Sequence, residues 1–149
     1  ARVRDLTEWL EAIWPEELQP VASGLRLTYH EPCHLSHVQG VRRQPRALLL
    51  RLRGATFREL PDAARCCGSA GIYNLTHPAM SRRLLERKMA DIAATGASVV
   101  VTANPGCLLQ LEWGARRSGL AVQVRHLSEL LDAALSSSEG REGSGWGAG

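Results

Sequence analysis

Apolar positions in V-R-D-L-T-E-W-L-E-A-I-W recur at helical spacing: Val3, Leu6, Leu10 and Ile13 share one face, and Pro15 limits the run. The next segment, L-R-L-T-Y-H over residues 25–30, reads as a strand that runs into the loop E-P-C-H-L-S-H. A second helix begins near Pro45, carries A-L-L-L-R-L and stops at Gly54. A short strand, A-T-F-R-E-L, follows and is closed by Pro61 and Asp62. Beyond it Pro78 opens a longer helix with Leu85, Met89 and Ile92 on one face and Gly96 as its stop. S-V-V-V-T-A, residues 98–103, is continuous, β-branched and apolar enough to be buried on both faces. N-P-G-C ends it, L-L-Q-L-E-W-G-A-R-R-S continues as a helix to Gly119, and L-A-V-Q-V-R supplies a last strand. Ser128 is then the expected cap of a terminal helix, H-L-S-E-L-L-D-A-A-L.

Strand and helix alternate four times, which predicts an α/β fold: a four-stranded, mostly parallel sheet with helices on both faces in a Rossmann-like three-layer arrangement. The expected organisation is a helix and connector over 1–24, one module over 25–135, and a Gly/Ser-rich tail over 136–149. That tail is low in complexity and carries too few apolar residues to bury, so it is expected to be disordered.

Composition narrows the chemistry. The chain has 149 residues, enough for one domain with a real core, and 44% are hydrophobic while only 5% are aromatic. A net charge of +3 and arginine pairs such as Arg42-Arg43 and Arg82-Arg83, with few aromatics between them, read as solvated helix faces rather than a nucleic-acid surface. No apolar run reaches the length of a membrane span, and the start lacks the basic-then-apolar pattern of a signal peptide. Four cysteines are too few for a disulfide scaffold, so a reducing, cytoplasmic setting is expected, with the thiols free for metal or redox chemistry. Ala1 opens straight into a helical pattern, so a piece of a longer protein is expected.

The placement of the cysteines is more informative than their number. Cys33 lies three residues after the first strand, Cys66 and Cys67 lie six after the second, and Cys107 lies four after the third. Loops at the carboxyl ends of parallel strands emerge on one edge, where ligands bind. Three loops therefore bring four thiols toward one place. A single zinc ion usually takes two C-x(2–4)-C pairs, which are absent, and adjacent cysteines chelate one ion awkwardly. Neighbouring thiolates can instead ligate different irons of a polynuclear cluster, and four thiolates are what ordinary iron–sulfur clusters use. Gly68, Gly71 and Gly106 permit tight turns with backbone N–H groups aimed inward at the sulfurs. A dithiol redox site through Cys66 and Cys67 competes with this reading, because a vicinal disulfide is strained and easily reduced. A zinc-stabilised interaction module and plain buried cysteines are further alternatives.

Three motifs, Pro32-Cys33-His34, Cys66-Cys67-Gly68 and Asn104-Pro105-Gly106-Cys107, together resemble the cysteine-rich CCG domain family. That family includes the B subunit of heterodisulfide reductase, anaerobic glycerol-3-phosphate dehydrogenase, lactate-utilisation proteins and glycolate oxidase iron–sulfur subunits. The phrases C-C-G-S-A-G-I-Y-N-L, R-K-M-A-D-I-A-A-T-G-A and T-A-N-P-G-C-L-L-Q are similar above all to the C-terminal part of the glycolate oxidase (glycolate dehydrogenase) subunits, over residues 1–135. The resemblance implies an electron-transfer module with no turnover of its own, fed by a flavin-containing subunit that oxidises glycolate. It implies as further partners an N-terminal ferredoxin-like segment and a first CCG module of the same subunit, neither of which this chain carries. Attachment to the inner face of the membrane through such a complex is a further expectation. In the heterodisulfide reductase branch the last motif is C-x-x-C, whereas here its first position is Asn104. Four thiolates remain, which points away from direct disulfide chemistry and toward a [4Fe–4S] cluster. Asn104 is then expected beside the cluster, as a hydrogen-bond donor more than as an oxygen ligand.

His34 adjoins Cys33 and is a candidate ligand, though packing is its ordinary role. His30 and His37 flank the same loop and are candidate proton carriers. Glu31 is expected in solvent, Tyr73 in a turn or the core, and His77 and His126 at a cap and a strand end. No G-x-G-x-x-G, Walker or nucleophile-elbow motif is present, which leaves nucleotide binding and serine-type catalysis without support.

Overall fold

The computed structural model describes residues 3–138. Four strands, Arg26–His30 (β1), Thr56–Phe57 (β2), Val99–Thr102 (β3) and Gln123–His126 (β4), form one sheet in the order β2-β1-β3-β4. Every neighbouring pair is parallel. The helices are Leu6–Ile13 (α1), Arg43–Leu50 (α2), Tyr73–Thr76 (α3), Pro78–Thr95 (α4), Pro105–Ser118 (α5) and Leu127–Ser138 (α6). The expected parallel α/β architecture, with helices on both faces, is the one found. Among the described residues no helix is long and apolar enough to cross a membrane.

Side-chain alternation along the strands divides the core in two. Leu27, Tyr29, Val99 and Val101 pack on one face with Leu48 and Leu49 of α2 and Leu127, Leu130 and Ala134 of α6. Val100 points the other way, to Leu85, Met89 and Ile92 of α4 and Leu111 and Ala115 of α5; Cys67 and Cys107 belong to this second core. Each fully buried Leu, Ile, Val or Met contributes about 1.5–3 kcal/mol. A Cβ at Gly114 would stand 2.8 Å from Leu85 Cδ1, so the missing side chain lets α5 close on α4.

Four local features differ from the sequence reading. In α1 the expected apolar face is turned: Thr7 is buried and Leu10 and Trp14 meet the core, while Leu6 and Ile13 are half exposed and Val3 is fully exposed. The helix starts at a capping box in which Asp5 accepts from Thr7 N–H at 2.9 Å and Glu8 accepts from Asp5 N–H at 3.0 Å. The expected strand 55–60 shrinks to Thr56–Phe57, because only one neighbour pairs with it and Leu60 turns into the second core. Ser128 does not cap α6 from outside. It lies in the first turn with its Oγ 2.7 Å from His126 Nδ1, and Glu129 accepts the His126 N–H at 3.3 Å. Residues 136–138, assigned to the tail, continue α6; residues 139–149 lie outside the described residues.

Candidate metal centre

The carboxyl ends of β1 and β3 set the site. β1 ends at His30, and Glu31, Pro32 and Cys33 lead into a single π-helical turn over His34–Gln39 where a plain loop was expected. Such turns are rare and recur at functional sites. Glu31 is buried, against the expectation of solvent exposure. Its carboxylate meets Arg46 Nη1 at 2.7 Å and Arg42 Nη1 at 3.6 Å, partners from α2 and its lead-in that no local pattern announces. Arg46 also binds Glu59 at 2.6 Å and lies 5.4 Å from the Tyr29 ring centroid. This network fixes the first cysteine loop from below, and Glu31 N–H donates to the Ala63 carbonyl at 3.2 Å, tying it to the second.

The double-cysteine loop is braced from α4 and α5. Gly68 has φ +94°, and a Cβ there would lie 2.6 Å from the Ser81 carbonyl oxygen, so only glycine fits. Ser81 Oγ donates to the Gly68 carbonyl at 2.9 Å, and Gln110 Nε2 donates to Ser81 Oγ at 3.1 Å and to the Cys67 carbonyl at 3.4 Å. Lys88, wholly buried, donates to the carbonyls of Asp62 at 2.8 Å and Ala63 at 3.4 Å. Polar groups buried this deeply need such partners. Gln110, Ser81 and Lys88 carry no motif that marks them in the sequence.

Cys107 sits in the first turn of α5, which begins at Pro105 rather than after the cysteine. Asn104 is the N-cap: its Oδ1 accepts the Cys107 N–H at 2.9 Å and holds the start of the helix. Gly106 gives the loops room, because a Cβ there would lie 3.2 Å from Asn104 Oδ1 and 3.4 Å from Ser69 Oγ.

The four thiols, from three loops, act on one another in series, Cys33 with Cys66, Cys66 with Cys67 and Cys67 with Cys107, while Cys67 and Cys107 alone share, with His30, one group of donors within 4.8 Å. All four are free; Cys67 and Cys107 are buried, Cys33 and Cys66 half-buried. Burial and neighbouring thiols make Cys33, Cys66 and Cys67 hard to ionise. Contact with Cys107, followed by burial, pushes Cys67 up to about 12, although its bond with Cys66 works the other way. Contact with Cys67 and burial push Cys66 up. Burial, then the neighbouring Cys66, pushes Cys33 up. Backbone amides oppose this: Gly68 N–H donates to Cys66 Sγ at 3.3 Å, and the nearby amides of Ala70, Ser69 and His34 favour the thiolates of Cys66, Cys67 and Cys33 in turn. A soft cation would reverse the balance by favouring all four thiolates at once.

His30 completes the inner wall. One of its ring nitrogens and the Cys67 and Cys107 sulfurs all lie within 4.8 Å of one another, and all three residues are buried. Burial, then the charge of Lys88, pushes the imidazole down to about 3. The other weighed residues lie away from this wall. His34 is exposed, His37 reaches Arg42 at 3.5 Å, and Tyr73 stacks on His77 at 4.6 Å between centroids.

Residues 27–112 match the family described as cysteine-rich domain, CCG. Over 107 residues, 70% of its length, the chain is 50% identical to the probable glycolate oxidase iron-sulfur subunit of Bacillus subtilis (strain 168), covering 24% of that protein. It is 39% identical over 131 residues to the glycolate oxidase iron-sulfur subunit of Escherichia coli (strain K12), covering 88% of this chain and 30% of that one. Lactate utilization protein A of Oceanobacillus iheyensis is 36% identical over 107 residues, 72% of this chain and 44% of the relative. The chain thus spans less than half the length of each of these relatives. With the family match covering both the double-cysteine loop and Cys107, the chain belongs to the cysteine-rich CCG domain family.

Proposed function

We propose that this module holds one iron–sulfur cluster, of the [4Fe–4S] type, on Cys33, Cys66, Cys67 and Cys107. In this reading it relays electrons within a glycolate-oxidising complex. The observation that carries the reading is the meeting of separate loops at one corner, where four cysteines are free and the Cys67 and Cys107 sulfurs lie with a His30 nitrogen within 4.8 Å of one another. The donor set suits the group: four soft sulfurs, inward amides, and a buried imidazole with neither nitrogen hydrogen-bonded. Adjacent Cys66 and Cys67 suit different irons better than one ion. A bound cluster supplies one-electron storage and release. The amides of Gly68, Ser69 and Ala70 would stabilise the added negative charge and so raise the potential.

Relatives named as glycolate oxidase iron-sulfur subunits support a place in the same kind of oxidoreductase. The partners in this reading are a flavin-containing subunit as donor, and ferredoxin-like and first CCG modules of the same subunit. The setting is cytoplasmic, with attachment to the membrane's inner face through the complex. Substrate chemistry stays with the flavin partner, so the module alone has no turnover. Thiol–disulfide exchange is the weaker reading, because an attacking thiol needs its thiolate and the contacts here raise Cys66 and Cys67.

Anaerobic reconstitution of the full chain with iron and sulfide tests the reading. Iron and acid-labile sulfide should be taken up in equal amounts, and a Cys107→Ser variant should lose them. Zinc without sulfide, or a metal-free dithiol that exchanges with disulfides, would overturn it.

A further inference from the structure

We propose that His30 donates a hydrogen bond to the centre, its ring N–H serving the sulfur of Cys67 or Cys107, and so tunes the potential without binding iron. The inference rests on the iron–sulfur reading above and leaves its four cysteine ligands as they stand.

Strand alternation puts the ring on the right side of the sheet. Leu27 and Tyr29 enter the first core, so Thr28 and His30 face the other way, toward the core that holds Cys67 and Cys107. His30 is 1% exposed, and neither Nδ1 nor Nε2 has a hydrogen-bond partner. Two hydroxyls share this side of the sheet, those of Thr28 and of Thr102, the latter paired with His30 in register. Both are buried and unpartnered as well, so neither serves the ring. Native interiors pair almost every buried polar group, because an unpaired one keeps its full desolvation cost. The ring therefore lacks a partner that the centre has to supply.

Sulfur is what lies in reach. One ring nitrogen and the Cys67 and Cys107 sulfurs all lie within 4.8 Å of one another. The other polar groups near this corner are taken: the Glu31 carboxylate by Arg46 and Arg42, Asn104 Oδ1 by the Cys107 N–H, and the Cys67 carbonyl by Gln110. Imidazole carries one N–H in either neutral tautomer and two when protonated, so a donor is present whatever its charge. A thiol sulfur accepts hydrogen bonds only weakly, and the free thiols take none from the ring. A thiolate held on a metal is a charged acceptor and forms a stronger bond. One-electron reduction adds negative charge to the centre, and N–H groups on its sulfurs stabilise that charge and raise the potential. Gly68 N–H serves Cys66 on the open side of the site. His30 serves the buried side, where the low dielectric strengthens the same kind of bond.

The test is nitrogen hyperfine spectroscopy with potentiometry on the reconstituted full chain, reduced to a paramagnetic state, with histidine labelled by nitrogen-15. A weak histidine-nitrogen coupling, the size transmitted through a hydrogen bond, is expected in the wild-type protein. It should vanish in His30→Leu and persist in His34→Gln. The midpoint potential should fall in His30→Leu and recover in His30→Gln, which restores an N–H donor. A cluster that shows no histidine-nitrogen coupling, or the strong coupling of a directly bound nitrogen, overturns the inference and leaves the iron–sulfur reading standing. An unchanged potential in His30→Leu, or a coupling that survives there, does the same. Should His30→Leu fail to fold, wild type against His34→Gln decides, since a coupling lost with His34 overturns the inference. A chain that takes up no iron and sulfide overturns both.

Discussion

Ser81 Oγ donates to the Gly68 carbonyl at 2.9 Å, and the Ser81 carbonyl stands where a Gly68 side chain would begin, 2.6 Å from an ideal Cβ. Helix α4 is therefore clamped onto the double-cysteine loop at its glycine. Gly68→Ala should cost at least about 2 kcal/mol, from left-handed strain and from overpacking. Gly71→Ala, at φ +59° with nothing within 4 Å, meets strain alone and should cost less. Denaturant unfolding ranks the two, and iron uptake should fall in the first more than in the second. Equal losses would mean that the close approach to Ser81 is not what holds the loop.

Asn104 should act as a helix cap. Asn104→Ala should lower stability by about 1 kcal/mol, and Asn104→Ser should restore most of it, because both Asn and Ser accept the Cys107 N–H. Iron uptake should survive in both variants. Loss of iron in Asn104→Ala at unchanged stability would make Asn104 a ligand instead.

Lys88 should anchor the turn that leads to Cys66. Lys88→Met removes one charged donor from the Asp62 and Ala63 carbonyls, which keep the Arg65 and Glu31 N–H groups, and should cost about 1.5–3 kcal/mol. Burial holds the Lys88 ammonium below its ordinary 10.5, so between the lowered value and 10.5 the unfolded chain binds more protons than the folded one. Stability from this group therefore rises with pH across that window. Unfolding curves of wild type and Lys88→Met, taken from roughly pH 8 to 10 under reductant, should diverge in favour of wild type. Parallel curves would show that the ammonium is not desolvated.

Much of this architecture was legible because periodicity reports on elements that bury one face. V-V-V-T needs no partner to read as an internal strand, and Pro78 and Gly96 bracket α4 as written. Cysteines following three successive strands could be placed on one edge by topology alone. What escaped depends on contacts distant in sequence. Glu31 is buried because Arg46 reaches it from α2, and α1 turns Leu10 and Trp14 inward because they meet a core assembled from distant elements. Ser81, Lys88 and Gln110 carry ordinary helix-surface chemistry and acquire meaning only when α4 and α5 close over the cysteine loop. The alternation in L-T-Y-H already set His30 apart from Leu27 and Tyr29. Only knowledge of which helices cover that face turns the alternation into a donor beside Cys107.

Unequal burial of the thiols gives the centre a front and a back. Cys33 and Cys66 border water, with the exposed side chains of Val38 and Ile72 following them in their loops, while Cys67, Cys107 and His30 are sunk in the core. Chelators and oxidants meet the front pair first, so chemical damage should begin at Cys33 and Cys66 and reach the back wall last. The back wall, packed against α4 and α5, should be the last part that such reagents reach.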